Sequence, residues 1–81
     1  MIELENLVML SGENCSGCEI SKAMFKRYDV DIKILDVKDS EASDLVKVFR
    51  VRSLPTFINQ VNYNMLSGSY PLEQLIELNE E

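Results

Sequence analysis

The order of apolar patterns along the chain predicts an α/β domain with the element order βαβαββα. Leu7–Leu10 is a continuous apolar run, which is typical of a strand buried on both faces of a sheet. The segment after it repeats apolar side chains at helical spacing, and Val30–Val37 then alternates as a strand rich in β-branched residues. A strand, a helix and a second strand in this order predict a right-handed parallel crossover.

The first half of the chain is predicted to contain two strands and the helix between them. The first strand covers Leu4–Ser11, the helix covers Cys15–Tyr28, and the second strand covers Val30–Val37. Basic residues in the last turn of the helix complement its dipole. The inward-facing side chains are predicted to be Ile20, Ala23, Met24 and Tyr28 in the helix, and Val30, Ile32 and Ile34 in the second strand.

The second half is predicted to contain a helix, a β-hairpin and a final helix. Asp39 or Ser40 is placed to cap the first of these helices. Thr56–Ile58 and Tyr63–Leu66 flank a polar turn and read as the hairpin, and Pro71 suits the first turn of the final helix. The inward faces of the two helices are predicted to be Ala42, Leu45, Val46 and Phe49, and Leu72, Leu75 and Ile76.

Length and charge limit the class of protein. With 81 residues and no linker-like segment, residues 1–81 are predicted to form a single domain. The formal net charge of -6 argues against binding nucleic acid, which requires a clustered basic face. The first apolar run is too short for a signal sequence or a membrane span, so we expect a cytoplasmic location without a membrane segment.

The two cysteines of the chain lie three positions apart where the first helix is predicted to begin. At a helix N-terminus, free backbone N–H groups and the helix dipole stabilise a thiolate, and such sites lower the pKa of a cysteine from about 8.5 to between about 3.5 and 7.5. Cys15, the first of the pair, gains most and is predicted to be the nucleophile. Cys18 lies one turn later and is predicted to resolve the mixed disulfide. Ser16 and Gly17 are small and leave the sulfur of Cys15 approachable.

Two motifs carry a resemblance to the thioredoxin superfamily. They are Cys15-Ser16-Gly17-Cys18 after a hydrophobic strand, and Leu54-Pro55-Thr56 at the start of a later strand. The resemblance implies a four-stranded mixed sheet in the order 2-1-3-4 with helices on both faces. It also implies that Pro55 is cis and faces the disulfide, and that the backbone of Leu54 or Thr56 pairs with an incoming substrate strand.

The size and element order of the chain are more similar to glutaredoxin than to thioredoxin itself. Several positions differ from thioredoxin: there is no Trp, Asn14 precedes the first cysteine, and Met9 lies near the place of the buried acid. The segment Leu66–Pro71, which contains Gly68 as a candidate groove residue, resembles part of the redoxins that reduce ribonucleotide reductase and are recharged by thioredoxin reductase.

The predicted function is that of a thiol-disulfide oxidoreductase, a monomeric dithiol electron carrier with no bound cofactor. Its expected partners are protein disulfides, with thioredoxin reductase as the reductant and ribonucleotide reductase as one acceptor. A glutathione-dependent glutaredoxin is the alternative. An alternative of another class is a dimer that shares four thiolates around zinc or an iron-sulfur cluster. With two cysteines and no histidine, a closed four-ligand site would need carboxylates or a second chain.

Overall fold

The computed structural model describes all 81 residues, and its elements follow the predicted order βαβαββα. None of its helices combines the length and the apolar character that crossing a membrane requires. The strands and helices, in chain order, are β1 (Ile2–Ser11), α1 (Ser16–Arg27), β2 (Val30–Asp36), α2 (Ser40–Val48), β3 (Thr56–Asn59), β4 (Met65–Ser67) and α3 (Leu72–Glu80).

The four strands form one mixed sheet in the order β2-β1-β3-β4. β1 pairs with β2 in parallel, and β3 pairs antiparallel with both β1 and β4. This confirms the strand order that the resemblance implied. Because β1 is an inner strand, covered on both faces, its apolar run Val8–Leu10 is fully buried.

Two hydrophobic clusters lie on opposite faces of the sheet. Successive side chains of a strand point to opposite faces, so Met9 belongs to one cluster and its neighbours Val8 and Leu10 belong to the other. The first, here called the α1/α3 cluster, consists of Leu4, Leu7, Met9, Cys18, Phe25, Phe57, Leu75 and Leu78. The second, the α2 cluster, consists of Val8, Leu10, Leu35, Ala42 and Ile58.

An irregularity in β1 decides which of its side chains reach the α1/α3 cluster. The pairing with β2 changes register between Glu3 and Val8. Leu4 and Leu7 are three positions apart and would face opposite sides of a regular strand, yet both are buried in the same cluster. The backbone N–H of Asn6, inside the irregular stretch, donates to Oδ1 of Asn79 in α3 at 2.9 Å, so a side chain from the last helix satisfies it.

The predicted inward face of α1 is wrong in most positions. Its buried residues are Cys18, Ser21 and Phe25, whereas Ile20 is 63% and Tyr28 50% exposed. Ala23 is exposed as well, and only Met24 packs against the α1/α3 cluster as expected. The prediction ranked positions by apolar character and therefore passed over Ser21. The helix instead follows the stripe at positions i, i+3 and i+7 that begins at Cys18.

Three smaller differences concern the strands and the last helix. Ile34 was predicted to face inward but is 39% exposed, while the next residue, Leu35, is buried in the α2 cluster. Tyr63 does not begin β4, because its φ of 67° lies in the left-handed region and is incompatible with a strand. Pro71 occupies the N-cap of α3 and does not enter its first turn.

The predicted inward faces of α2 and α3 are confirmed. Asp39 occupies the N-cap position of α2, but its side chain makes no capping hydrogen bond, and its Oδ2 accepts from the N–H of Asp36. Ala42 of that helix is fully buried. In α3, Leu75 is fully buried, and the buried Leu78 extends the face. The remaining predicted residues are half-buried and pack against one of the two clusters: Leu45, Val46 and Phe49 from α2, and Leu72 and Ile76 from α3.

A buried asparagine joins the hairpin to the last helix. The side chain of Asn59 is fully buried, and its Nδ2 donates to the carbonyl oxygen of Leu78 at 2.8 Å. Its Oδ1 accepts from the backbone N–H groups of Val61 and Asn62 in the turn between β3 and β4. A domain of this size has a small apolar core, so such a satisfied polar group adds specific contacts between elements.

We predict that Asn59→Ala lowers the free energy of unfolding by about 1–3 kcal/mol, because it leaves the buried carbonyl of Leu78 in α3 and two backbone N–H groups of the hairpin turn without their partner. Urea unfolding of the oxidised protein measures this change. Gln60→Ala, at the exposed neighbouring position, is the matched control and is expected to change the value by less than about 0.5 kcal/mol. Equal effects of the two variants would contradict the role assigned to Asn59.

Candidate functional site

Cys15 and Cys18 form a disulfide at the N-terminus of α1. Asn14, with φ 54°, turns the chain between the end of β1 and the helix, a left-handed conformation that Asn tolerates better than most residues. Cys15 is the N-cap of α1, and its carbonyl oxygen accepts from the N–H of Glu19. The predicted position of the pair at the start of the helix is therefore what the structure shows.

The environment of Cys15 favours negative charge on its sulfur. The backbone N–H of Cys18 donates to Sγ of Cys15 at 3.0 Å, and the positive end of the α1 dipole lies at the same point. Once the disulfide is reduced, an N–H donor and a helix N-terminus at this position favour the thiolate over the thiol. Glu13, the nearest preceding acid, forms an exposed ion pair with Lys38, whose Nζ lies 2.7 Å from Oε1 of Glu13.

The two sulfur atoms differ in access to solvent. Cys15 is half-buried, whereas Cys18 is 0% exposed and belongs to the α1/α3 cluster. The other members of that cluster are apolar, and Met9 is among them, so no carboxylate lies in the cluster beside Cys18. One sulfur is thus open to an incoming molecule, and the other is reached only from within the protein.

The loop before β3 packs directly against the first turn of α1. The Leu54–Pro55 peptide bond is cis, as the resemblance implied, and Pro55 is buried. A Cβ atom on Gly17 would lie 3.0 Å from Cδ of Pro55 and 3.0 Å from Oγ of Ser69. Oγ of Ser69 donates to the carbonyl oxygen of Gly17 at 3.2 Å. Glycine at position 17 therefore allows the helix, the proline and the segment after β4 to meet.

Leu54 and Thr56 were the two candidates for backbone pairing with a substrate strand, and only Leu54 has backbone groups without hydrogen-bond partners. Thr56, the other candidate, lies in β3 opposite Leu10 of β1 and Ser67 of β4, and its Oγ1 donates to the carbonyl oxygen of Ser53. Leu54 takes part in no backbone hydrogen bond. Of the two alternatives for pairing with a substrate strand, Leu54 is therefore the one with a free N–H and a free carbonyl.

Gly68 supports the loop and does not line the open side of the site. Its N–H donates to the carbonyl oxygen of Pro55 at 2.8 Å, and its φ of 107° lies in the region that favours glycine. This hydrogen bond holds the end of β4 against the loop. A role of Gly68 in a ligand groove stays a prediction.

A shallow depression beside Cys15 brings together four of the eight predicted site residues and adds others that were not predicted. Arg52 and Asn14 were not among the predicted binding residues, and neither was Ser69, which touches Gly17 from outside the depression. The depression is lined by Glu13, Asn14, Cys15, Ser16, Gly17, Arg52 and Leu54.

A single chain offers few side chains that could bind a metal ion. No group of three or more His, Cys, Asp or Glu side chains is arranged to hold a metal ion. The metal-bridged alternative therefore depends on a second chain, as the sequence indicated.

We predict that the single-cysteine variant Cys18→Ser reacts with iodoacetamide with a midpoint below about pH 7.5, because the N-cap position stabilises the thiolate of Cys15. The rate of alkylation as a function of pH measures this midpoint, and reactivity rises as the pH passes through it. Cys15→Ser is the matched control, whose buried Cys18 reacts slowly and with a higher midpoint, since burial disfavours the charged form. A midpoint near 8.5 for Cys15 would contradict the effect of the cap.

We also predict that Gly17→Ala lowers the free energy of unfolding by about 1–3 kcal/mol, because the new Cβ presses on the ring of Pro55 and on Ser69. The same substitution is expected to be less destabilising in a Ser69→Ala background, which removes one of the two close atoms. Thermal or urea unfolding of the two single variants and the double variant measures the coupling. Strict additivity would mean that the two positions do not touch.

Comparison with solved structures finds thioredoxin-like proteins. The crystal structure of the thioredoxin-like protein BC3987 superposes with a TM-score of 0.65 and 26% identity, covering 89% of this chain and 97% of that one. A mutant form of the same protein gives a TM-score of 0.69 with 24% identity over 94% and 96% of the two chains. Malassezia sympodialis thioredoxin gives 0.65 with 16% identity over 90% and 73%.

No protein-family model matches the chain, and no curated protein sequence matches it significantly. The similarity to these solved structures is therefore one of fold. The chain has a small thioredoxin-like fold, and its cysteine pair at the start of α1 is suited to thiol redox chemistry.

Proposed function

We propose that the chain is a small dithiol electron carrier that reduces disulfides of other proteins and is recharged by a thioredoxin reductase. The observation that carries the proposal is the asymmetry of the cysteine pair. Cys15 is accessible and caps a helix, whereas Cys18 is fully buried one turn later. An accessible stabilised thiolate beside a protected thiol is the arrangement that two-step disulfide exchange requires.

In the first step, the thiolate of Cys15 attacks one sulfur of the substrate disulfide. The substrate S–S bond breaks as a bond forms between Cys15 and the attacked sulfur. The other substrate sulfur leaves as a thiolate, which can then accept a proton. The N–H of Cys18, which lies 3.0 Å from Sγ of Cys15, holds the nucleophile in place before the attack.

In the second step, Cys18 loses its proton and attacks Sγ of Cys15. The bond between Cys15 and the substrate breaks, and the second substrate sulfur leaves and is protonated. The substrate has then gained two electrons and two protons, and the cysteine pair has lost them. The resulting Cys15–Cys18 disulfide is the state that the structure contains.

The loop before β3 provides a place for the substrate backbone. Leu54 has a free N–H and a free carbonyl, and it lines the same depression as Cys15. An extended substrate segment that pairs with these groups would bring its own cysteine next to Cys15. Such pairing suits a polypeptide substrate, because it uses main-chain hydrogen bonds.

The choice of thioredoxin reductase as the reductant, and of ribonucleotide reductase as one acceptor, is supported by the segment Leu66–Pro71. Ser69 of this segment contacts Gly17 through its hydroxyl group, so the segment lies beside the cysteine pair. We further propose that the carrier works as a monomer in the cytoplasm. Its acidic surface, with a net charge of -6, favours encounter with a basic docking patch on the partner.

NADPH consumption with a disulfide-bonded protein substrate tests the proposal. We expect turnover when this chain is combined with thioredoxin reductase. Turnover with glutathione and glutathione reductase, but not with thioredoxin reductase, would replace the proposal with the glutaredoxin alternative. Absence of turnover in both systems would overturn the carrier function, and metal analysis of the purified protein would then test the metal-bridged dimer.

Variants of the two cysteines separate the steps in the same assay. We predict that Cys15→Ser reduces NADPH consumption to the background rate, because the attacking sulfur is lost. Cys18→Ser is expected to accumulate a mixed disulfide with the substrate, which mass spectrometry detects as a covalent adduct that dithiothreitol removes. Full activity of the Cys15→Ser protein would contradict the assigned roles.

A further inference from the structure

Arg52 is an unpaired cation in the depression beside Cys15. The depression contains two charged residues, Glu13 and Arg52. Glu13 is engaged by Lys38, whose Nζ lies 2.7 Å from Oε1 of Glu13. Arg52 is exposed and takes part in none of the ion pairs or side-chain hydrogen bonds of the chain. The guanidinium group is therefore free to bind a ligand at the disulfide.

The location of Arg52 distinguishes it from the other basic residues. Only Lys33 and Lys38 of the eight basic side chains form ion pairs, and Arg52 is the one basic residue that lines the depression beside Cys15. It also lies two positions before Leu54, whose backbone groups are free, and the two residues line one depression.

We propose that Arg52 binds a carboxylate of the disulfide substrate, so that the site prefers substrates with an acidic group next to the attacked cysteine. This inference rests on the proposed disulfide exchange and adds the class of substrate to it. A guanidinium group presents its N–H donors in a planar fork that matches a carboxylate. The acidic group is either an Asp or Glu of a protein substrate or a carboxylate of oxidised glutathione, and the same chemistry recognises both.

Arg52 favours only those acidic groups of the substrate that lie close to it. The net charge of -6 repels acidic molecules from the protein as a whole, and screening limits this repulsion to about 10 Å at moderate salt. A carboxylate gains from Arg52 only when it lies close to the depression. Because an extended chain advances about 3.3–3.6 Å per residue, a range of about 10 Å corresponds to acidic residues within about three positions of the substrate cysteine.

Two peptides with one disulfide each, identical except for Glu or Gln beside the cysteine, test the proposal. The second-order rate constant for their reduction is measured with the reduced protein and with two charge variants. We expect the wild-type protein to reduce the Glu peptide about two- to fivefold faster, the effect of one exposed ion pair. This ratio is expected to fall to about one in Arg52→Gln and to shrink at high salt.

Arg50→Gln is the matched control, since Arg50 is an exposed guanidinium outside the depression. It removes the same charge and is expected to keep the wild-type ratio. An equal rate for both peptides in the wild-type protein, or a ratio that survives Arg52→Gln, would overturn the inference while leaving disulfide exchange intact. Failure of the wild-type protein to reduce either peptide would instead overturn the proposed function, and the inference would fall with it.

Oxidised glutathione distinguishes the two sources of the carboxylate. If Arg52→Gln slows its reduction as much as that of the Glu peptide, the site recognises a small carboxylated disulfide as well as a protein. If the loss is confined to the peptide, the carboxylate belongs to a polypeptide substrate. Both results support a carboxylate site at Arg52.

Discussion

The contact between the first turn of α1 and the loop that contains Pro55 is the constraint on which the rest of the site depends. Gly17 has no side chain at the point where Pro55 and Ser69 approach within 3.0 Å of the place of a Cβ. Cys18, one residue later, is buried in the α1/α3 cluster. These two positions fix both the depth and the rotation of the helix, and Cys15 is consequently left at its exposed end beside the depression.

The rest of the fold holds the contact between α1 and the Pro55 loop in place, although the apolar core of the domain is small. β1 alternates its side chains between the two clusters, so a single strand supplies apolar groups to both faces of the sheet. Near the middle of β1, hydrogen bonds between Asn6 and Asn79, and between Asn59 and Leu78, tie the strand, the hairpin and α3 together. A small domain cannot rely on apolar burial alone, and here satisfied polar groups join elements that are distant in sequence.

The sequence predicted the elements and the cysteine pair, because both depend on local patterns. The run Leu7–Leu10 and the spacing in α2 are set by the period of a strand and of a helix, and the structure agrees with both. The inward face of α1 was not predictable in the same way, since Ser21 is buried by the docking of the helix and Ile20 is left outside. The cis bond at Pro55 followed from the resemblance. The position of Arg52 beside Cys15 could not be predicted from the sequence, because the distance between residues far apart in sequence depends on tertiary packing.

The absence of an acid in the α1/α3 cluster bears on how the proposed exchange is completed. Cys18 must lose a proton before it attacks, and its apolar surroundings disfavour the thiolate. Met9, in the strand beneath it, offers no site for the proton, which leaves water and the substrate sulfur released in the first step as acceptors. In a protein disulfide the released sulfur stays tethered to the substrate, whereas in oxidised glutathione it diffuses away with the free tripeptide. A tethered thiolate keeps a base near the buried thiol, so the apolar setting of Cys18 and the free backbone of Leu54 both favour a polypeptide disulfide as the substrate.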